Sequence, residues 1–137
     1  MDYQKMVEYR NTKNPHAQRL GILVEEIGPG CARVTKTIGP EDLNPLGLAH
    51  GGVYYSMADT ACGSAASSYG YMAVTVNANY SYFRSAMPGD RLTAEARELK
   101  GGKTISVFEV RVTDQKGTLL GSGTFTFYIQ REKEIIL

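Results

Sequence analysis

The sequence predicts an α+β domain in which one antiparallel sheet surrounds a single long helix. Three observations carry that expectation. At 137 residues the chain has the length of one ordinary domain, and such a domain buries roughly two-thirds of its unfolded surface without disulfide staples. Residues 51–69 form one uninterrupted helical pattern, and thirteen of its nineteen positions are Gly, Ala, Ser, Cys or Thr. The second half of the chain reads as strand after strand, separated by short turns that contain glycine.

Residues 2–13 read as a helix with a modest apolar face of Met6, Val7 and Tyr9. Asn14-Pro15 ends it, because the residue before a proline avoids the α region. Leu20–Ile27 reads as a strand, Gly28-Pro29-Gly30 as a turn, and Cys31–Ile38 as a second strand. In the latter Ala32, Val34 and Ile38 alternate with Arg33, Thr35 and Thr37, the pattern of a half-buried strand. The two form a hairpin. Gly39–Ala49 is irregular. The helix from Gly51 to Tyr69 places Val53, Met57, Ala61, Ala65 and Tyr69 at intervals of four. Side chains this small let a helix approach a sheet backbone closely, which suits a central position.

Four strands follow: Met72–Arg84, Arg91–Lys100, Lys103–Thr113 and Leu119–Ile129. Their short connections, Pro88-Gly89-Asp90, Gly101-Gly102 and Asp114–Gly117, imply an antiparallel meander. The whole chain, 1–137, reads as one domain, with 1–16 as an N-terminal helix and linker and 130–137 as a frayed tail.

Composition excludes several function classes. Fifteen Lys and Arg against fourteen Asp and Glu leave a formal charge of +1, without the clustered basic charge that nucleic-acid binding needs. No apolar run approaches the ~18 residues of a membrane-spanning helix. The opening Met1-Asp2-Tyr3-Gln4-Lys5 is charged where an export signal would be apolar, so a cytoplasmic location is expected. In that reducing compartment Cys31 and Cys62 are expected to stay unpaired. Two histidines and two cysteines without ligand spacing give no reason to expect a metal.

The chemistry concentrates in Asn44-Pro45-Leu46-Gly47-Leu48-Ala49-His50-Gly51-Gly52 and continues into Met57-Ala58-Asp59-Thr60. Gly51 opens the long helix, where the first N–H groups lack internal partners and carry partial positive charge. A ligand oxygen can approach such groups closely where no Cβ intervenes. That describes an oxyanion site, and it equally describes a glycine-rich helix start that serves packing alone. Asp59 is the only charged side chain between His50 and Arg84, on a helix of small and apolar residues. It reads either as an acid on a wet face bonded to a nearby hydroxyl or, in a central helix, as a partly desolvated base. Taken singly, His50 is a hydrogen-bonding residue and Asn44 a turn residue.

Asn44, His50-Gly51-Gly52 and Ala58-Asp59, spaced six residues from Asn to His and nine from His to Asp, resemble the hot-dog-fold acyl-CoA thioesterases of the PaaI-like group. The resemblance continues through Val76–Tyr80, Pro88–Ala96, Gly101–Thr104 and Gly117–Thr126, over roughly residues 17–129. Ser85 departs from it, where many relatives carry proline. The resemblance implies a hot-dog fold, with an antiparallel sheet wrapped around a long helix. It implies that Asp59 activates water or attacks the acyl carbon, that the Gly51 N–H polarises the thioester carbonyl, and that Asn44 positions water or substrate. His50 would lie beside the sulfur or orient its neighbours, and Thr75 would face the nucleophilic water. Gly52, Thr60, Arg84 and Lys103 would contact substrate or CoA, although the two charges also read as solvated turn residues. No separate cofactor is implied, since coenzyme A is part of the substrate, whose acyl group would be aryl or medium-chain.

So small a set of groups suits a thioester. A thiol of pKa about 8.5 leaves as thiolate without a strong acid. An amide nitrogen would need a proton donor, and no G-x-S-x-G elbow is present. Two other readings are a hot-dog hydratase or dehydratase acting on acyl thioesters, which would need an acid/base pair for carbon acids, and a non-catalytic acyl-CoA binder, which would have no use for Asp59. Gly51 and Asp59 are eight residues apart, about 12 Å along one helix. A single reacting carbon must lie within ~3 Å of both donor and base. The two groups should therefore come from different subunits of a homodimer, and the resemblance adds that dimers pair into a homotetramer.

Overall fold

The computed structural model describes residues 1–137. Two short helices, α1 (Tyr3–Thr12) and α2 (Pro15–Leu20), precede the hairpin of β1 (Leu23–Gly28) and β2 (Cys31–Thr37). A 3-10 turn, Pro40–Asp42, leads toward the long helix α3 (Gly51–Ala66), which ends in a second 3-10 turn, Ser67–Tyr69. Strands β3 (Tyr71–Tyr82), β4 (Arg91–Lys100), β5 (Ile105–Thr113) and β6 (Leu119–Glu134) complete the chain. All six strands form one antiparallel sheet in the order β1-β2-β4-β5-β6-β3.

The sheet wraps α3, as the small-residue pattern predicts. Met57, Ala58, Ala61, Cys62 and Ala65 are fully buried against its inner face. That face consists of every second residue of the strands: Leu92 and Ala94 of β4, Phe108, Val110 and Val112 of β5, Phe125 and Phe127 of β6. Burial raises the Cys62 thiol well above its usual range, and the charge of Asp59 adds to the effect. No helix is long and apolar enough to cross a membrane.

Five expectations need correction. Asn14-Pro15 ends α1 but also starts α2: the Asn14 side chain accepts the Ala17 N–H, and proline at the first helical position loses no bond that the helix would make. Gly21, at φ 69°, closes α2, so β1 begins at Leu23 and not at Leu20. The last four strands are not a simple meander. β3 pairs with β6, and β4 joins β2. The connection between β3 and β4 crosses the end of the sheet, held by Ala86, whose N–H donates to the Tyr54 hydroxyl and whose carbonyl accepts the Ala49 N–H. Its Pro88-Gly89-Asp90 turn closes on Ile38 instead of on β3, through Gly89 N–H to Ile38 O and Ile38 N–H to Asp90 O.

The remaining two corrections concern ends. The tail is ordered through 134, because Tyr71 of β3 lies opposite Glu134 and the Ile135 N–H reaches Gly70 O. Strand β5 begins at Ile105, since Gly102 folds back to donate its N–H to the Ser106 hydroxyl.

Lys36 breaks the alternation of β2. It shares the inward parity of Val34 and Ile38, is buried, and pairs with buried Asp42 at 3.0 Å. Its ammonium also donates to the Leu20 carbonyl. Asp42 accepts the Gly39 N–H at 2.8 Å, and its carbonyl accepts the His50 N–H at 2.8 Å. One buried pair thus ties α2, β2 and the approach to α3 together. Removing one partner strands the other charge away from water, so Asp42→Ala should lower unfolding free energy by about 3–5 kcal/mol. Lys36→Met with Asp42→Leu should recover most of that loss. Urea denaturation of the three proteins measures both; a single variant as stable as the parent would contradict the account.

Candidate active site

The first group of predicted residues sits at the N-terminus of α3. His50 is its N-cap, in extended conformation, and Nδ1 accepts the Gly52 N–H at 2.8 Å. An accepting Nδ1 leaves the proton of a neutral ring on Nε2, pointing outward as a donor. A Cβ at position 52 would come 3.1 Å from Nδ1, so glycine there keeps the cap short. The Gly51 N–H makes no hydrogen bond within the chain, while the Gly51 carbonyl accepts the Tyr82 hydroxyl at 2.9 Å. Tyr82 stands edge-on to both Tyr54 and Tyr80.

Asn44 lies on the loop just before this end. Its Oδ1 accepts the N–H groups of Leu46 and Leu48 at 2.9 and 3.2 Å, and its own N–H donates to Leu48 O. A bridge between Leu43 and Ala49 closes the loop, which brings Asn44 and His50 to its two feet. The side-chain carbonyl of Asn44 is therefore committed to the loop, and its NH2 remains available to donate.

The second group lies midway along α3. Asp59 is partly buried, and its Oδ1 accepts the Thr75 hydroxyl of β3 at 2.7 Å. Both line a cleft of about 480 Å³, together with Tyr55, Thr60, Gly63 and Phe127. Thr60 is buried beside them. Arg10 reaches this cleft from α1 and donates from Nε to the Ser64 hydroxyl at 3.1 Å. Burial lowers its pKa from the ordinary value, and the charge of Asp59 opposes that shift. Asp59 Oδ2 has no partner in the chain, so one oxygen is oriented and the other is free to take a proton or attack.

The structure therefore gathers Asn44, His50, Gly51 and Gly52 in one place and Asp59, Thr60 and Thr75 in another. Since α3 is unbroken between them, the two lie about 12 Å apart along its axis. Arg84 and Lys103 come together with neither each other nor a common group. Arg84 donates its N–H to Leu120 O, while Lys103 lies beside Ile129 and Arg131. Leu120 and Ile129 are separated by about 30 Å of β6. Both cations are exposed. Arg10 and Tyr82 are the residues that sequence reasoning missed. On α1 an arginine reads as a solvated charge, and at the end of a strand a tyrosine is ordinary.

Comparison with known proteins finds relatives in both sequence and fold. The family model described as "Thioesterase superfamily" matches residues 46–120, from the Asn44 loop to the start of β6. The chain is 35% identical over 100 residues to the acyl-coenzyme A thioesterase PaaI of Escherichia coli, covering 73% of this chain and 71% of that protein. The E. coli PaaI structure superposes with a TM-score of 0.84 at 28% identity, covering 95% of this chain and 99% of that one. A Streptococcus pneumoniae hypothetical thioesterase solved with coenzyme A gives a TM-score of 0.78 at 27% identity, over 84% of this chain and 88% of that one. Alanine variants of the same protein, one at an aspartate and one at a threonine sixteen positions later, superpose at 0.76. By sequence and by fold, the chain belongs to the thioesterase superfamily, in its PaaI-like group of hot-dog proteins.

Proposed function

We propose that this protein is an acyl-CoA thioesterase that works as a two-fold homodimer, each chain a single hot-dog domain with half of each site. The observation that carries the reading is the hydrogen-bonded pair of Asp59 and Thr75 in an open cleft, on the same rigid helix as the unpartnered Gly51 N–H. Sixteen positions separate Asp59 from Thr75, the spacing of the aspartate and threonine varied in the pneumococcal relative. That relative was solved with coenzyme A, and the E. coli relative is an acyl-CoA thioesterase, which supports the substrate class.

In the proposed reaction the Gly51 N–H and the positive end of α3 receive the thioester carbonyl oxygen. Asp59 takes a proton from water as the water oxygen bonds to the acyl carbon. Thr75 holds the other carboxylate oxygen and so aims the base. The carbon–sulfur bond then breaks, CoA leaves as thiolate, and the proton returns to sulfur. A direct attack by Asp59, through an anhydride that water then opens, uses the same groups. His50 Nε2–H and the Asn44 NH2 are the remaining donors beside the sulfur and the water. Gly52, Thr60, Arg84 and Lys103 complete the substrate contacts, the two cations from different subunits. Neither a metal nor a redox group is required, because the leaving group needs no Lewis acid.

The edge of the sheet supports the assembly. β3 is twelve residues long and is bonded on one side only, by β6. Its Met72, Val74 and Val76 are exposed. A long apolar edge strand calls for a cover. A second β3 laid antiparallel against it extends the sheet and places two α3 helices side by side in opposite directions. Gly51 of one chain then approaches Asp59 of the other. Two such dimers would pair in the tetramer.

Two measurements test this. Asp59→Asn keeps the volume and removes the base, so kcat should fall by roughly 10²–10⁴ with less effect on KM. Turnover near that of the parent would move the base elsewhere. Finally, Asn44→Ala and Asp59→Asn chains, refolded together, should regain activity, since each mixed dimer holds one intact site. Mixed dimers verified by mass spectrometry and still inactive would refute a shared site.

A further inference from the structure

The strongest unassigned feature is Arg10. It comes from α1, outside the segment that the family model matches. Its side chain crosses to α3 and lies directly on the helix backbone at Gly63, where a Cβ would come 3.0 Å from Nη2. Gly63 therefore makes room for the guanidinium, and Ser64 fixes its Nε. Neither terminal nitrogen donates to any group of the chain, and no carboxylate lies within ion-pair distance. Both it and Asp59 line the same cleft, together with Phe127. A partly desolvated cation, held by one nitrogen with its terminal nitrogens free of any protein partner, is half of a charge-assisted pair.

Resting on the reaction proposed above, we infer that Arg10 selects the acyl group, and that the preferred substrates carry a carboxylate at the far end of the acyl chain. Position sets the length. Gly63 and Ser64 are four and five residues beyond Asp59, about 6–7.5 Å along α3. The thioester carbon sits at Asp59, so a terminal carboxylate five bonds further on reaches the two free nitrogens. Its two oxygens match their fork. An acyl chain of equal length ending in methyl leaves the guanidinium unpaired and dry, which disfavours it.

The test compares adipyl-CoA with hexanoyl-CoA, which differ in the terminal group at equal carbon count. The parent protein should favour adipyl-CoA in kcat/KM by about tenfold or more, the worth of one hydrogen-bonded charge. Arg10→Met should abolish that preference, and Arg10→Lys should keep part of it. Equal rates on the two substrates in the parent overturn the inference and leave the thioesterase reading standing. An equal loss on both in Arg10→Met also overturns it, and assigns Arg10 to supporting Asp59. Should neither substrate be hydrolysed, binding replaces rate as the readout. Calorimetric titration of the Asp59→Asn protein with each acyl-CoA still decides the inference: tighter binding of adipyl-CoA that Arg10→Met removes upholds it, and indistinguishable affinities refute it.

Discussion

Everything in this molecule answers to the burial of α3 inside its own sheet. A helix pressed onto a strand layer on most of its circumference favours small side chains, with Met57 the one long side chain fully buried among them. Ala58, Ala61, Cys62 and Ala65 are what fits there, and none of them is exposed. In return the helix is held so firmly that its N-terminus and its midpoint keep a fixed separation. Only one strip of α3 escapes cover, toward β3, and Asp59 lies on it. The packing requirement and the placement of the one charged side chain are the same constraint seen from two sides.

The approach to that helix is fixed independently. Lys36 and Asp42 hold α2 and the 3-10 turn, and the Asp42 carbonyl receives the His50 N–H. From there local hydrogen bonds carry the chain into the first turn: His50 caps Gly52, and Tyr82 pins the Gly51 carbonyl. The Gly51 N–H is left without a partner in the first turn of α3.

How much of this was legible in the sequence depends on how local the cause was. The helix at 51 and the strand Arg91–Lys100 were readable because their periodicities are strong and their ends are marked by glycine or a turn. The partner of β3 was not, because an eight-residue connection can close a hairpin or cross a sheet, and only Ala86 docking on Tyr54 and Ala49 decides between them. Lys36 was missed since a lysine at an inward position makes sense only beside Asp42. In the site, Asp59 stood out as a lone charge, and the structure shows its Oδ1 accepting the Thr75 hydroxyl. The cap made by His50 and the loop bonds of Asn44 are ordinary local chemistry, but which atoms they leave free is set by geometry. Arg10 was invisible because its importance comes from Gly63, more than fifty residues away.

The pairing of β3 with β6 has a consequence for how the chain is made. β3 ends at Tyr82, and its neighbour in the sheet does not begin until Leu119. On a ribosome β3 emerges with both edges bare, and dozens of residues must be synthesised before β6 covers one of them. Strand β6, which holds β3 in the sheet over α3, follows the other five strands in chain order. Non-local strand pairing of this kind folds slowly and leaves sticky edges in the meantime. Asp59 and Thr75 are thus made well before β6, the strand whose pairing with β3 holds Thr75 beside the Asp59 carboxylate.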